Sequence, residues 1–170
     1  MGYVMNTQMS KFISANDFKF TAGTWTPTLA SNVVKQVRSA ADAVFGVMIP
    51  VDLPDNAAAL AGCLLKSIDV FYAIGTAACD DFATVELEKM TLGVDDVAIT
   101  GAAVTGTCDA GHDTAAKRYA VDDDHVLTFT ITTPFWIDDG DALALYLYID
   151  AASTSVVTFF GARANFTLRV

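Results

Sequence analysis

The stretch Val126-Leu-Thr-Phe-Thr-Ile-Thr132, with Ala142-Leu-Ala-Leu-Tyr-Leu-Tyr-Ile149 shortly after it, decides the fold class. In the first, Leu127, Phe129 and Ile131 alternate with Thr128, Thr130 and Thr132. In the second, Leu143, Leu145, Leu147 and Ile149 alternate with Ala144, Tyr146 and Tyr148. Successive side chains of a strand point to opposite faces, so period two marks strands with one face buried. Pro134, Trp136 and then Asp138-Asp139-Gly140-Asp141 supply a bend and a turn between them.

Working outward, Val156–Val170 reads as a long strand that pins the C-terminus in a sheet. Phe160, Ala162, Ala164, Phe166, Leu168 and Val170 form one row, and Arg163, Asn165, Thr167 and Arg169 form the other. Earlier in the chain, Phe18–Thr26, Asn32–Arg38, Val44–Val51, Cys63–Ile74 and Phe82–Leu92 read as further strands. Asn32–Arg38 is expected at an edge, because both of its faces carry polar groups. Pro50 suits a strand end, since proline has no N–H for a ladder. About eight strands separated by Gly, Pro, Asp and Thr turns predict an all-β fold, an eight-stranded antiparallel jelly-roll-like sandwich. Helix is confined to Asp55–Ala61 and Asp113–Tyr119, the latter capped by Asp113 or Thr114. Gly93–Asp124 is the longest stretch without strong periodicity, a length typical of functional or contact-making loops.

A chain of 170 residues, 53% hydrophobic, fits one domain with a sizeable core. The organisation expected is an N-terminal arm over 1–16 and a single sandwich over 17–170. A mean hydropathy of +0.41 is high, yet no apolar run reaches the roughly 18 residues of a membrane helix. Such a composition suits a subunit that hides surface against neighbours, or an unusually well-packed monomer. The net charge of −10 repels phosphate backbones, so nucleic-acid binding is not expected. Met1–Ser14 has one Lys and no continuous apolar stretch, unlike a secretory signal.

Reactive constellations are scarce. Cys63, Cys79 and Cys108 show no zinc spacing; Cys63 reads as core, and Cys79 and Cys108 flank loops that a disulfide would join only if they are adjacent. His112 and His125 stand beside turn aspartates and lack the paired histidines of a cupin metal site. Neither a nucleophile elbow nor a phosphate-binding fingerprint is present. The clusters Asp80-Asp81, Asp95-Asp96, Asp122–Asp124 and Asp138-Asp139/Asp141 have oxygen ligands for Ca²⁺ but not its loop spacing, and read as solvated turns. No catalytic, cofactor or metal site is therefore expected. Trp25, Trp136, Tyr146 and Tyr148 are candidates for a sugar-stacking platform or an interface.

Two-sided apolar strands, few basic residues and no reactive cluster lead to a structural subunit, a symmetric oligomer and most simply a trimer. Tyr146, Tyr148, Phe159 and Trp136 are its candidate interface residues, and Met5, Met9 and Phe12 its candidate arm contacts. The stretches Val33-Val-Lys-Gln-Val-Arg-Ser39, Lys66-Ser-Ile-Asp-Val-Phe-Tyr72, His112-Asp-Thr-Ala-Ala-Lys-Arg-Tyr119 and Phe160-Gly-Ala-Arg-Ala-Asn-Phe-Thr-Leu168 resemble structural proteins from tailed-phage and environmental viral sequences. The resemblance covers most of the chain after the arm and includes no catalytic motif. It implies a non-enzymatic bacteriophage capsid decoration (cement) protein, a homotrimer that clamps a major capsid protein or another virion subunit. Such a protein is made in the host cytoplasm and resides on the virion surface, with no cofactor, membrane or nucleic-acid partner. The alternative from another class is a glycan-binding β-sandwich module.

Overall fold

The computed structural model describes residues 5–30, 33–53, 62–91, 99–138 and 140–169. Its strands are β1 (Asn6–Ser14), β2 (Lys19–Phe20), β3 (Trp25–Ala30), β4 (Val33–Arg38), β5 (Ala43–Pro50), β6 (Cys63–Gly75), β7 (Asp81–Thr91), β8 (Thr100–Val104), β9 (Gly106–Cys108), β10 (Asp122–Ile137), β11 (Asp141–Ala151) and β12 (Val156–Arg169). One helical turn, α1 (Ala115–Arg118), precedes β10. The expected helix over 55–61 lies outside the described residues. All pairings are antiparallel, and the strands form a jelly-roll-like sandwich of two sheets.

The larger sheet runs β3-β4-β12-β6-β10-β9, and β1 lies against β12 beyond the point where β4 stops. The smaller sheet runs β2-β5-β11-β7-β8. The two inner faces bury Phe45, Ile49, Ile68, Val70, Tyr72, Leu127, Leu145 and Leu147 in one core. Both deciding stretches lie as the alternation predicts. Leu143, Leu145, Leu147 and Ile149 point inward, as do Leu127, Phe129 and Ile131.

Twelve strands replace the expected eight for local reasons. Phe18–Thr26 is not one strand: the chain leaves the smaller sheet after β2 and enters the larger one at β3. Gly23, at φ +90°, makes the bend where the Arg38 side chain leaves no room for a Cβ. The aperiodic loop likewise holds β8 and β9, one in each sheet, so it passes from one layer to the other within a few residues. Its small side chains gave no periodicity because they bury little. β4 is not an edge strand: it lies between β3 and β12, and β3, carrying Pro27, takes the edge.

The decisive departure is in β12. A bulge sits between Phe159, which faces Tyr72, and Gly161, which faces Phe71. The extra residue reverses the alternation, so Val157 and Phe159 point inward before it and Ala162 and Ala164 after it. Phe159 is therefore a core residue with 0% exposure, packed edge-on against Phe18, and not the interface residue expected. Gly161 is required there. Its φ is +143°, and a Cβ would come within 2.5 Å of the Phe12 ring.

Candidate functional site

Tyr146 and Tyr148 project from the outer face of the smaller sheet, since their odd-numbered neighbours in β11 fill the core. They are 40% and 52% exposed. Strand geometry places alternate residues on one face about 7 Å apart, so the two rings stand side by side. The register then decides their surroundings. Tyr146 lies between Met48 of β5 and Glu86 of β7, and Tyr148 lies between Gly46 and Thr84. Ala144 continues the row between Pro50 and Glu88.

Tyr146, Tyr148, Gly46, Thr84, Glu86 and Glu88 line a groove of about 790 Å³ that also reaches Met90, Ile99 and Gly101. Gly46 forms part of its floor, where its N–H donates to Thr21 Oγ1 at 2.7 Å. The Tyr146 hydroxyl reaches the Met48 sulfur at 3.2 Å. No ion pair among the described residues involves Glu86 or Glu88. Lys89, beside them in sequence, is in phase with the core row and turns instead to Asp141 at 2.7 Å and to the Phe135 ring. The groove thus combines flat apolar rings with carboxylates that form no ion pair among the described residues and can accept hydrogen bonds from hydroxyl groups.

The two tryptophans expected as alternative platforms are occupied. Trp25 stacks on Phe20 at 3.7 Å, meets Phe45 edge-on and donates its indole N–H to the Ala22 carbonyl. Trp136 is half-buried, with the Arg169 guanidinium over its ring at 4.2 Å and Gly62 beneath. Of the four interface candidates, the structure brings together only Tyr146 and Tyr148. Sequence reasoning missed Gly46, Thr84, Glu86 and Glu88 as part of the site. The alternation of Glu86 and Glu88 with Val85 and Leu87 was visible, but not the neighbouring strand.

Of the arm candidates, Met9 and Phe12 lie on β1, which pairs along its whole length with β12 of the same chain, and Met5 immediately precedes it. Met5, Met9 and Phe12 are exposed, while Ile13 enters the core.

All three cysteines are free thiols. Cys63 lies in the core as expected, where burial pushes its thiol up to about 11. The carboxylates of Asp42, Asp80 and Asp150 gather within 4.8 Å of one another, two of the three on exposed residues. Asp141 in the Asp-rich turn is tied to Lys89, Thr91 and the Asp138 N–H. Asp95 and Asp96 lie outside the described residues.

No protein-family model matches the chain, and no curated protein matches it. Among solved structures it is similar to a family two carbohydrate esterase from Cellvibrio japonicus, at TM-score 0.43 and 6% identity. That match covers 98% of this chain and 36% of the esterase, so the chain spans about a third of its length. A structure described as "CBM4 structure and function" matches at TM-score 0.35 and 12% identity, over 85% of this chain and 89% of that one. A low-affinity xylan-binding module, CBM86, from Roseburia intestinalis matches at TM-score 0.38 and 14% identity, over 94% and 96%. All three are too distant in sequence and shape for any property to be carried across.

Proposed function

We propose that this chain is a non-enzymatic glycan-binding module that holds its ligand on the outer face of the smaller sheet. The supporting observation is the pair Tyr146 and Tyr148, exposed side by side in a groove whose other wall carries Glu86, Glu88 and Thr84. A sugar ring has apolar C–H faces and a polar rim of hydroxyl groups. Aromatic rings take the first and carboxylate or hydroxyl oxygens the second. A protein interface would instead favour a drier patch, depleted of carboxylates at its centre.

Affinity gel electrophoresis of the chain against soluble xylan, mixed-linkage β-glucan, mannan and starch tests the proposal. Retardation by at least one polysaccharide, lost in Tyr146→Ala and Tyr148→Ala, is the expected result. Unretarded migration in all four, or retardation unchanged in both variants, would overturn it.

A second reading, the capsid-decoration homotrimer, draws on the exposed apolar side chains of Met9 and Phe12 on β1 and of Met5 just before it. Against it, β1 lies on its own sandwich and does not reach away as a free arm. Sedimentation at micromolar concentration separates the two: a trimer that Met9→Asp and Phe12→Asp dissociate favours the virion subunit. A monomer rules out the self-contained trimer.

A further inference from the structure

Two buried imidazoles take no part in the groove. His112 lies in the turn before α1 and His125 near the start of β10. His112 Nε2 is 3.1 Å from His125 Nδ1. The outer nitrogens are also engaged: His112 Nδ1 lies 3.0 Å from an Asp109 carboxylate oxygen, and His125 Nε2 lies 2.9 Å from the Ala120 carbonyl.

The count of hydrogens follows from these partners. A carbonyl oxygen only accepts, so His125 Nε2 carries a hydrogen. Asp109 also accepts. Burial works to raise its carboxyl, but hydrogen bonds from the Thr128 N–H, His112 and the Gly111 N–H outweigh it and hold the group below the usual carboxylate range. His112 Nδ1 therefore carries a hydrogen too. The inner nitrogens then face each other at hydrogen-bond distance, and two bare lone pairs there would repel. One more hydrogen must lie between them. Three hydrogens on four ring nitrogens is one more than two neutral imidazoles hold.

A metal ion would be the other way to reconcile two facing lone pairs. The geometry opposes it. The ring centroids are 5.3 Å apart, longer than the 3.1 Å N···N separation by about two ring radii, so the nitrogens point at each other head-on. Zinc on that line needs twice a Zn–N distance of about 2.0–2.1 Å, roughly 4 Å in all.

We infer that His112 and His125 share one bridging proton, carry a single positive charge between them, and form a clamp that ties the α1 segment to β10 and weakens in alkali. The surrounding groups divide in sign. The Arg118 guanidinium, which donates to the His112, Phe82 and Ala83 carbonyls, opposes the charge. Asp109 favours it, as do Asp123 and Asp124, which share a surface hollow with His125. Asp113 is paired with Lys117, which also donates to the Ala110 carbonyl. Tyr72 stacks on His125 at 4.5 Å, with its hydroxyl donating to the Arg118 carbonyl. Cys108 is held as a neutral thiol, chiefly by burial. The clamp sits where α1 also grips β7, so it braces the strand that carries Thr84 and Glu86.

The linkage has a definite sign. Unfolded histidines are neutral above about pH 6.5, whereas the folded pair holds one proton more than two neutral rings. Folding then takes up a proton, and stability falls as pH rises. Two measurements on the full chain test this. With ¹⁵N-labelled histidine, NMR should show three imidazole N–H hydrogens on the pair, one coupled to nitrogens of both rings; two hydrogens overturn the inference. Between pH 6.5 and 9, the folding equilibrium constant from urea unfolding should fall by up to about tenfold per pH unit, more steeply than in His125→Gln. Equal slopes overturn it, and if that variant fails to fold the NMR count decides alone. Displacement of the bridging hydrogen by one equivalent of Zn²⁺, with a raised Tm, also overturns it.

Discussion

The outer faces of the two sheets are built from the same alternating strands and treat their polar groups in opposite ways. On the larger sheet, Asp69 accepts hydrogen bonds from Arg163, Asn165 and Thr128, and Arg163 lies over Phe71. That cluster around Asp69 satisfies itself. On the smaller sheet, Glu86 and Glu88 stand beside two exposed tyrosines without an ion-pair partner among the described residues. A face whose polar groups are already paired loses them on binding, and one whose groups are open gains from a ligand. On the function proposed above, the difference is what suits the smaller sheet to a ligand.

Substitutions should separate the faces by what they change. The largest effect belongs to the core both share. Phe159→Ala leaves a cavity between the sheets and should cost about 3–5 kcal/mol, read by urea unfolding, with binding lost only as folding is lost. On the larger sheet, Asp69→Asn should cost about 1–3 kcal/mol and leave polysaccharide affinity unchanged. Burial alone would raise the Asp69 carboxyl, but the hydrogen bonds from Asn165, Arg163 and Thr128 prevail and lower it. The sign follows: its stabilisation is present above the ordinary aspartate range near pH 3.9 and disappears as pH falls through the lowered value. Thermal unfolding between pH 5 and 2 should show a smaller acid loss in Asp69→Asn than in the native chain.

On the smaller sheet the order reverses. Tyr148→Ala should weaken polysaccharide binding about tenfold, near 1.4 kcal/mol, while changing stability by less than about 0.5 kcal/mol. A large stability loss with affinity intact would make the ring a packing element and erase the contrast between the faces. Smallest of all, Glu86→Gln should leave unfolding within about 0.5 kcal/mol of the native chain and lower affinity less than Tyr148→Ala does.

Particular residues show how far the chain could be read. Tyr146 and Tyr148 were legible as one face of one strand, because alternation with Leu145 and Leu147 needs nothing beyond neighbours in sequence. Phe159 was not, because a single-residue bulge at Gly161 reverses the phase, and the glycine's role depends on Phe12 in a distant strand. The tryptophans misled in another way. Trp25 and Trp136 have the right chemistry for a platform, but Phe20 and Arg169 cover them, and neither partner follows from local pattern. The His112–His125 contact was equally hidden, since α1 and the start of β10 must both close on Asp109 before the nitrogens meet.

By itself, then, the sequence determined the all-β sandwich and the inward rows of β10 and β11. Period two is a property of consecutive residues and survives whatever the strand pairs with. Only the tertiary structure decided that Thr84 and Glu86 flank the tyrosines, that Phe159 is core, and that two histidines share a hydrogen bond. Register, bulges and side-chain contacts across the sandwich join residues far apart in the chain, and are set by how the two sheets pack.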